Sequence, residues 1–215
     1  MLEMSNLNQI YQLRFWIKNI SPCVWRRVLI KDSCTITDLH NIIQITMNWS
    51  DTYLNQFKIR GKVYGVYHEG GVSFSDNPEQ VCMKDFAFYL NERFLYEYNF
   101  FDFWEVEIRI EKPTMIKPKS YYPICIGGKY SAPPEDCGGA LRYMELLNHY
   151  TKWRLEDMLL ESCEQYQIDK DKEAFIETLE NLKFWHNREY FNRRDINHRL
   201  KQYANGDPAW EDYFV

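Results

Sequence analysis

Three places in the chain carry residue types able to do chemistry. Trp25-Arg26-Arg27 sets two guanidiniums on neighbouring positions of an apolar run. Cys125, Glu135, Asp136 and Cys137 put two thiols and two carboxylates in a segment broken by Gly127-Gly128 and Pro133-Pro134. Arg188, Arg193, Arg194, Arg199 and Lys201 collect cations among Phe184, Trp185, Tyr190 and Phe191.

Each place has a functional reading and a structural one. Adjacent strand positions point to opposite faces, so one arginine faces water and the other turns inward. The inward one needs a partner, which the Glu97, Asp102, Glu105 group is expected to supply as a bidentate ion pair; the alternative is a ligand-binding arginine. Two thiols with one or two carboxylates make a poor tetrahedral zinc site, which takes four Cys or His ligands when structural. The bland reading of that segment is a structural turn, with Glu135-Asp136 capping a helix that starts near Gly139. If the two cysteines met, a labile disulfide would be the third reading, and a reducing cytosol disfavours it. The basic, aromatic segment can contact phosphates and stack bases, or it is a helix with its aromatics inward and its charges solvated.

Other chemistry lacks its residues. His40, His68, His149, His186 and His198 form no His-x-x-x-His pair, and no phosphate-cradling Gly-Lys-Ser/Thr loop, dinucleotide glycine fingerprint or Gly-x-Ser-x-Gly elbow occurs. No cofactor is expected.

The elements that must position these residues follow from periodicity. Tyr11, Leu13, Phe15 and Ile17 alternate with polar or interfacial residues, and Asn19-Ile-Ser-Pro22 turns the chain into Val24 to Ile30, a β-hairpin. Thr35 is placed to cap a helix in which Leu39, Ile42, Ile43, Thr46 and Met47 recur at helical spacing, and this helix should cross the hairpin. Phe57 to Ile59 and Val63 to Val66 flank Gly61 as a second hairpin. Gly70-Gly71 to Pro78 reads as a loop, Met83 to Leu90 as a short helix. Phe94, Tyr96, Tyr98 and Phe100, then Trp104, Val106, Ile108 and Ile110, alternate as two antiparallel strands. Beyond Gly139 the spacing is helical: Leu141, Met144 and Leu147; Leu155, Met158 and Leu159; Phe175, Leu179 and Leu182; Ile196 and Leu200. Gly206-Asp207-Pro208 ends regular structure.

Composition narrows the class. Aromatics at 17% and charged residues at 27% suit a folded chain with a substantial core. The formal charge of -5 argues against a surface built for nucleic-acid phosphates overall. No apolar run reaches the roughly 20 residues of a membrane span, the N-terminus lacks signal-peptide character, and six cysteines are scattered as free thiols would be. A cytoplasmic location is expected.

Arg93 to Glu111, Tyr122-Pro-Ile-Cys-Ile-Gly-Gly, Pro133-Pro-Glu-Asp-Cys-Gly-Gly139, Trp25-Arg-Arg27 and Leu39-His40 together resemble the plasmid-borne ORF-three-like family first named from the Ri plasmid. The resemblance runs from about Tyr11 to about Leu200. Some members carry the label of insertion-element passenger TnpR proteins, and the family implies no agreed activity. Where relatives commonly read His-Leu-His-x-Phe, this chain has Tyr53-Leu-Asn55-Gln-Phe57. Where they read Asp-Phe-Gly-Asp-x-Trp-x-His, it has Asn99-Phe-Phe101-Asp102-Phe-Trp104-Glu-Val106. A third thiol of the family pattern is Ala132. If those imidazole positions form a metal or acid-base centre in relatives, this chain lacks it.

The reading is an α+β protein: a β-grasp-like mixed sheet with a crossing helix over residues 1–138, followed by a helical subdomain over 139–215 packed on it. The expected function is non-catalytic recognition of another macromolecule, a protein first, in a mobile-element setting, with an accessory factor acting on a host protein as one form. The surface expected to bind comprises Trp25, Arg26, Arg27, Tyr53, Asn55, Asp102 and Trp104. Nucleic-acid binding through the basic C-terminal helices is the alternative, and a metal or thiol enzyme centred on Cys125 and Cys137 is the second. No membrane partner is expected.

Overall fold

A computed structural model describes residues 9–65, 76–112, 114–115 and 120–210. His68, Val66 and the Gly70-Gly71 part of the expected loop lie outside them. Strands β1 (Gln9–Ile17) and β2 (Trp25–Lys31) form the first hairpin, and α1 (Ile36–Met47) follows. Thr35 caps α1 as its sequence indicates: its hydroxyl accepts from Asp38 N at 3.0 Å, and Thr35 N donates back to the Asp38 carboxylate at 2.9 Å. Then come β3 (Asn55–Ile59), β4 (Lys62–Tyr64), β5 (Arg93–Tyr98), β6 (Trp104–Ile110), the two-residue β7 (Thr114–Met115) and β8 (Ile124–Lys129). Four helices close the chain: α2 (Gly139–His149), α3 (Lys152–Asp169), α4 (Lys172–His186) and α5 (Arg193–Ala204).

The strands lie in the order β4-β3-β5-β6-β1-β2-β8, with β7 beside one end of β1. The α+β arrangement, sheet first and helices after, is the one expected. Its pairings differ from a mixed sheet: every one is antiparallel. The reason is the number of reversals. The crossing by α1 gives β3 the same direction as β2, and two further reversals through β5 bring β6 back antiparallel to β1.

The inward residues Leu13, Phe15 and Ile17 of β1, Tyr96 and Tyr98 of β5 and Trp104, Val106 and Ile108 of β6 join Leu39, Ile42, Ile43 and Met47 of α1 in one core. The Arg60-Gly61 turn between β3 and β4 has φ of 50° and 80°, the paired left-handed geometry of a tight hairpin, which explains the glycine. Met83 to Phe86 forms only a 3₁₀ turn where a longer helix was expected.

β8 is the element the sequence concealed. Ile124-Cys-Ile-Gly-Gly-Lys129 was expected as loop because paired glycines weaken strands, yet it pairs with β2 and places Arg26 opposite Gly128. The glycines there are packing requirements. A Cβ on Gly127 would touch the Trp25 ring at 3.4 Å, and one on Gly128 would sit 2.5 Å from the Phe191 ring. Asn197 of α5 then fastens the strand, accepting from Cys125 N at 2.7 Å and donating to Cys125 O at 2.9 Å. The Gly128→Ala variant should therefore overpack this junction and cost roughly 1–3 kcal/mol in urea denaturation; an unchanged midpoint would show that the Phe191 seat is loose.

Candidate functional site

Arg26 is the inward arginine, 2% exposed, and no carboxylate among the described residues pairs with it. Its Nε donates to Thr46 O at 2.8 Å, and Nη1 donates to Trp25 O at 2.9 Å and Lys129 O at 3.1 Å. The guanidinium lies 4.5 Å from the centre of the Phe191 ring. This corrects the expected ion pair, and helix geometry explains it. Thr46 is in the last turn of α1, where carbonyls lack helical partners and carry the negative end of the helix dipole. That turn has no basic residue of its own, so β2 supplies the cation. Burial pushes the Arg26 pKa down to about 10.

The three carboxylates expected to meet Arg26 are committed elsewhere. Glu97 holds Lys58 at 2.6 Å, Glu105 holds Lys18 at 3.0 Å, and Asp102 accepts from Gly138 N at 2.7 Å. The outward Arg27 pairs with Glu111 at 2.6 Å. Burial pushes the Glu111 carboxyl up, but hydrogen bonds from Arg27, Gln12 and Arg109 outweigh it and hold it at about 2.

The segment from Pro133 to Gly139 folds as the structural turn, through different contacts from those expected. Glu135 turns inward, accepting from Ser50 N at 3.0 and 3.1 Å and from the Tyr98 hydroxyl at 2.6 Å. Its carbonyl accepts from Asn99 Nδ2 at 2.7 Å and from the Trp104 indole at 2.9 Å, and Pro133 O accepts from the Trp49 indole at 3.0 Å. Two buried tryptophans thus place their polar atoms on one turn. No side chain caps α2, so neither Glu135 nor Asp136 does so. The Asp102 carboxylate instead accepts from the N–H of Gly138, the residue that precedes the helix, and a Cβ on Gly139, whose φ is 77°, would collide with the Asp102 carbonyl.

The residues expected to share a binding surface divide. Tyr53, Asn55, Asp102 and Trp104 gather around Tyr98 at one end of the sheet, with Tyr53 6.0 Å from the Tyr98 ring centre. Asn55, Trp104 and Arg26 are buried; Trp25 and Arg27 lie on the sheet's opposite face. Of the three positions where the resemblance implies histidine, Tyr53, Asn55 and Val106, the last two lie on β3 and β6, strands separated by β5.

Cys125 is in a strand beside Asn197, and Cys137 is in the turn near Asp102 and Asp136; all six cysteines are free. Burial raises the Cys125 thiol, and burial with Asp102 and Asp136 pushes Cys137 up to about 12. Thiols so shifted keep their protons at neutral pH, the reverse of what an attacking thiolate needs. Among the described residues no three His, Cys, Asp or Glu side chains cluster as a metal site.

Of the basic C-terminal residues, Arg199 is 2% exposed with Asp195 at 3.5 Å, Arg188 donates to Tyr150 O at 2.7 Å, and Arg193 donates to Ile126 O at 3.0 Å. Arg194 and Lys201 are exposed.

Sequence reasoning missed one polar network. Gln44 Nε2 donates to the Tyr96 hydroxyl at 2.8 Å, leaving that hydroxyl to donate to His40 Nδ1 at 2.8 Å, and His40 Nε2–H to donate to Asp51 at 2.7 Å. The order of groups is that of a proton relay, but Tyr96 is fully buried and both its lone donor and its acceptor are engaged, so it fixes the core. The polar Gln44 on the apolar face of α1 was the available signal.

A family model described as plasmid pRiA4b ORF-3-like protein matches residues 9–191. The chain belongs to that family. Within the plasmid pRiA4b ORF-3-like family, the uncharacterized protein y4hQ of Sinorhizobium fredii is 27% identical over 140 residues, 63% of this chain and 70% of its own length. The crystal structure of a protein of unknown function, MM3350 from Methanosarcina mazei Go1, is 31% identical with a TM-score of 0.62, covering 88% of this chain and 98% of that one. The motif residues through which the ORF-3-like resemblance was first visible, Arg26, Trp104, Glu135 and Gly139, are thus internal fastenings. No helix among the described residues is long and apolar enough to cross a membrane.

Replacing Glu135 with Ala should strand the Ser50 N–H and the Tyr98 hydroxyl and cost roughly 3 kcal/mol, while Gln, which keeps an acceptor, should cost about 1 kcal/mol. Denaturant titration of both variants checks this; equal midpoints would mean the turn is not held by that carboxylate.

Proposed function

We propose that the protein is a non-catalytic recognition protein that docks another protein on its α3–α4 hairpin, in a plasmid or mobile-element setting inside the cell. The observation that carries this reading is the outward face of α3. Trp153 is 80% exposed and Leu160 64%, and at seven residues apart they share one side of the helix with Asp157 and Glu164. Large apolar groups held out in water on an ordered helix are unusual without a partner, and Trp is over-represented among residues that dominate binding energy. The surrounding carboxylates select a partner with an apolar pocket rimmed by Lys or Arg. The hairpin is anchored at its root, where Leu155, Leu182 and Trp185 are buried and Trp185 stacks on Tyr143 and Tyr150 at 5.8 and 4.5 Å.

A second reading, nucleic-acid binding, is favoured by one feature: Arg193, Arg194 and Lys201 line an open cleft of about 940 Å³ with Tyr121, Tyr190 and His198. It predicts that a labelled single-stranded oligonucleotide binds with steep salt dependence and that Arg194→Glu with Lys201→Glu abolishes the anisotropy change. Salt-independent or mutation-insensitive signals would remove it.

For the first reading, a photo-crosslinking residue placed at Leu160 in the source organism should capture one basic-faced protein. The purified partner should then bind Trp153→Ala more weakly by roughly 2 kcal/mol, and Glu164→Lys more weakly as well, with the circular dichroism of both unchanged. Capture of no protein, or equal binding by wild type and Trp153→Ala, would overturn it.

A further inference from the structure

The face of the sheet turned away from α1 carries a row of arginines. Arg93 of β5 stands opposite Arg109 of β6, Arg109 opposite Arg14 of β1, and Arg14 opposite Arg27 of β2. Four neighbouring strands thus place a guanidinium at the same level, and with strands about 4.8 Å apart the row is roughly 14 Å long. Like charges directly opposite one another destabilise a sheet, so strand pairing alone gives no reason for the row.

Only part of its charge is balanced. Glu111 serves two of the four, accepting from Arg27 at 2.6 Å and from Arg109 at 2.7 Å, and Glu107 holds Arg93 at 2.7 Å. The other carboxylates of this face are taken by lysines, Glu97 by Lys58 at 2.6 Å and Glu105 by Lys18 at 3.0 Å. Arg14 forms no ion pair or hydrogen bond with a described residue, and the Nε atoms of Arg14 and Arg109 both lack a partner. Four cations against two carboxylates leave the row an excess of positive charge, in a chain whose formal charge is -5.

Aromatic rings hold the row in place. Arg93 lies 5.5 Å from the centre of the Trp16 ring, Arg14 5.9 Å from Trp16 and 4.9 Å from Trp25, and Arg27 5.4 Å from Trp25. A ring contact uses none of the N–H donors of a guanidinium, so the partly exposed Arg14 keeps its terminal edge for an oxyanion.

We infer that this face docks an acidic, extended segment of a partner protein, with carboxylates on alternate residues lying along the arginine row. Alternate residues of an extended chain repeat about every 6.8 Å, so three carboxylates cover the length of the row. Leu95, Trp16 and Trp25, partly exposed in the next row of the same face, receive apolar side chains beside the acids. Nucleic acid suits the face less, because its four glutamates repel a continuous phosphate backbone, whereas a short acidic segment needs only the surplus of the row. The surface is distinct from the outward face of α3, and either proposal stands if the other fails.

Fluorescence anisotropy of a dye-labelled peptide of alternating glutamate and threonine, titrated with the full chain beside an oligouridylate of equal charge, tests it. The peptide should saturate one-to-one, more weakly as salt is raised. Arg14→Gln should weaken it about tenfold and Arg93→Gln several-fold, while Lys172→Gln on the hairpin changes nothing. The urea midpoint of Arg14→Gln should stay at or above that of the wild type, since a repulsion is relieved. Should Arg14→Gln fail to fold, Arg93→Gln carries the test, its side chain being 54% exposed. No saturation at millimolar concentration, equal affinity in wild type, Arg14→Gln and Arg93→Gln, or tighter binding of the oligouridylate than of the peptide would overturn the proposal.

Discussion

The structure turns on a buried positive charge that no carboxylate among the described residues pairs. Arg26 draws the last turn of α1, the backbone of β2, the edge strand β8 and the loop before α5 to one guanidinium. Taking an arginine out of water costs several kcal/mol unless the environment supplies compensating polarity. Here carbonyl oxygens at a helix end and an aromatic face supply it. The consequence reaches into the sequence: Gly128 must lack a side chain because Phe191 lies where its Cβ would be. The helix dipole, the glycine and the aromatic are therefore one device, distributed over residues far apart in the chain.

A second fastening, the turn from Pro133 to Gly139, holds the end of β5 and the start of β6. Its carboxylate and carbonyl are fully used by Ser50, Tyr98, Asn99 and Trp104. Motifs that identify the family thus describe how the sheet is tied to the helices. The proposed recognition would use a surface the motifs do not cover, the exposed face of α3. A protein whose most distinctive residues are internal can vary its exposed surface while keeping its fold, which accords with 31% identity at a TM-score of 0.62 to the Methanosarcina mazei protein.

Most elements were legible because burial imposes period. The alternation of Phe94, Tyr96 and Tyr98 against Leu95 and Glu97 gave β5, and Thr35 with Asp38 gave the start of α1. β8 was not legible, since Gly127 and Gly128 are there for Trp25 and Phe191, partners that only the folded chain reveals. The same holds for the site. That one arginine of Trp25-Arg-Arg27 turns inward follows from strand geometry, but its partner is a helix terminus, and backbone carbonyls leave no mark in a sequence. The expected carboxylates failed for a local reason: Glu97 and Glu105 each have a lysine nearby across the sheet surface. Arg199 looked like part of a basic surface because charge runs suggest solvent, whereas its place on α5 buries it.

Urea denaturation of Arg26→Met beside Arg26→Lys and the wild type tests the central role of this arginine most directly. Met, which strands the carbonyls of Thr46 and Lys129, should cost roughly 3 kcal/mol, and Lys, which keeps the charge but not the fork, should cost less. Wild-type midpoints in both variants would contradict it.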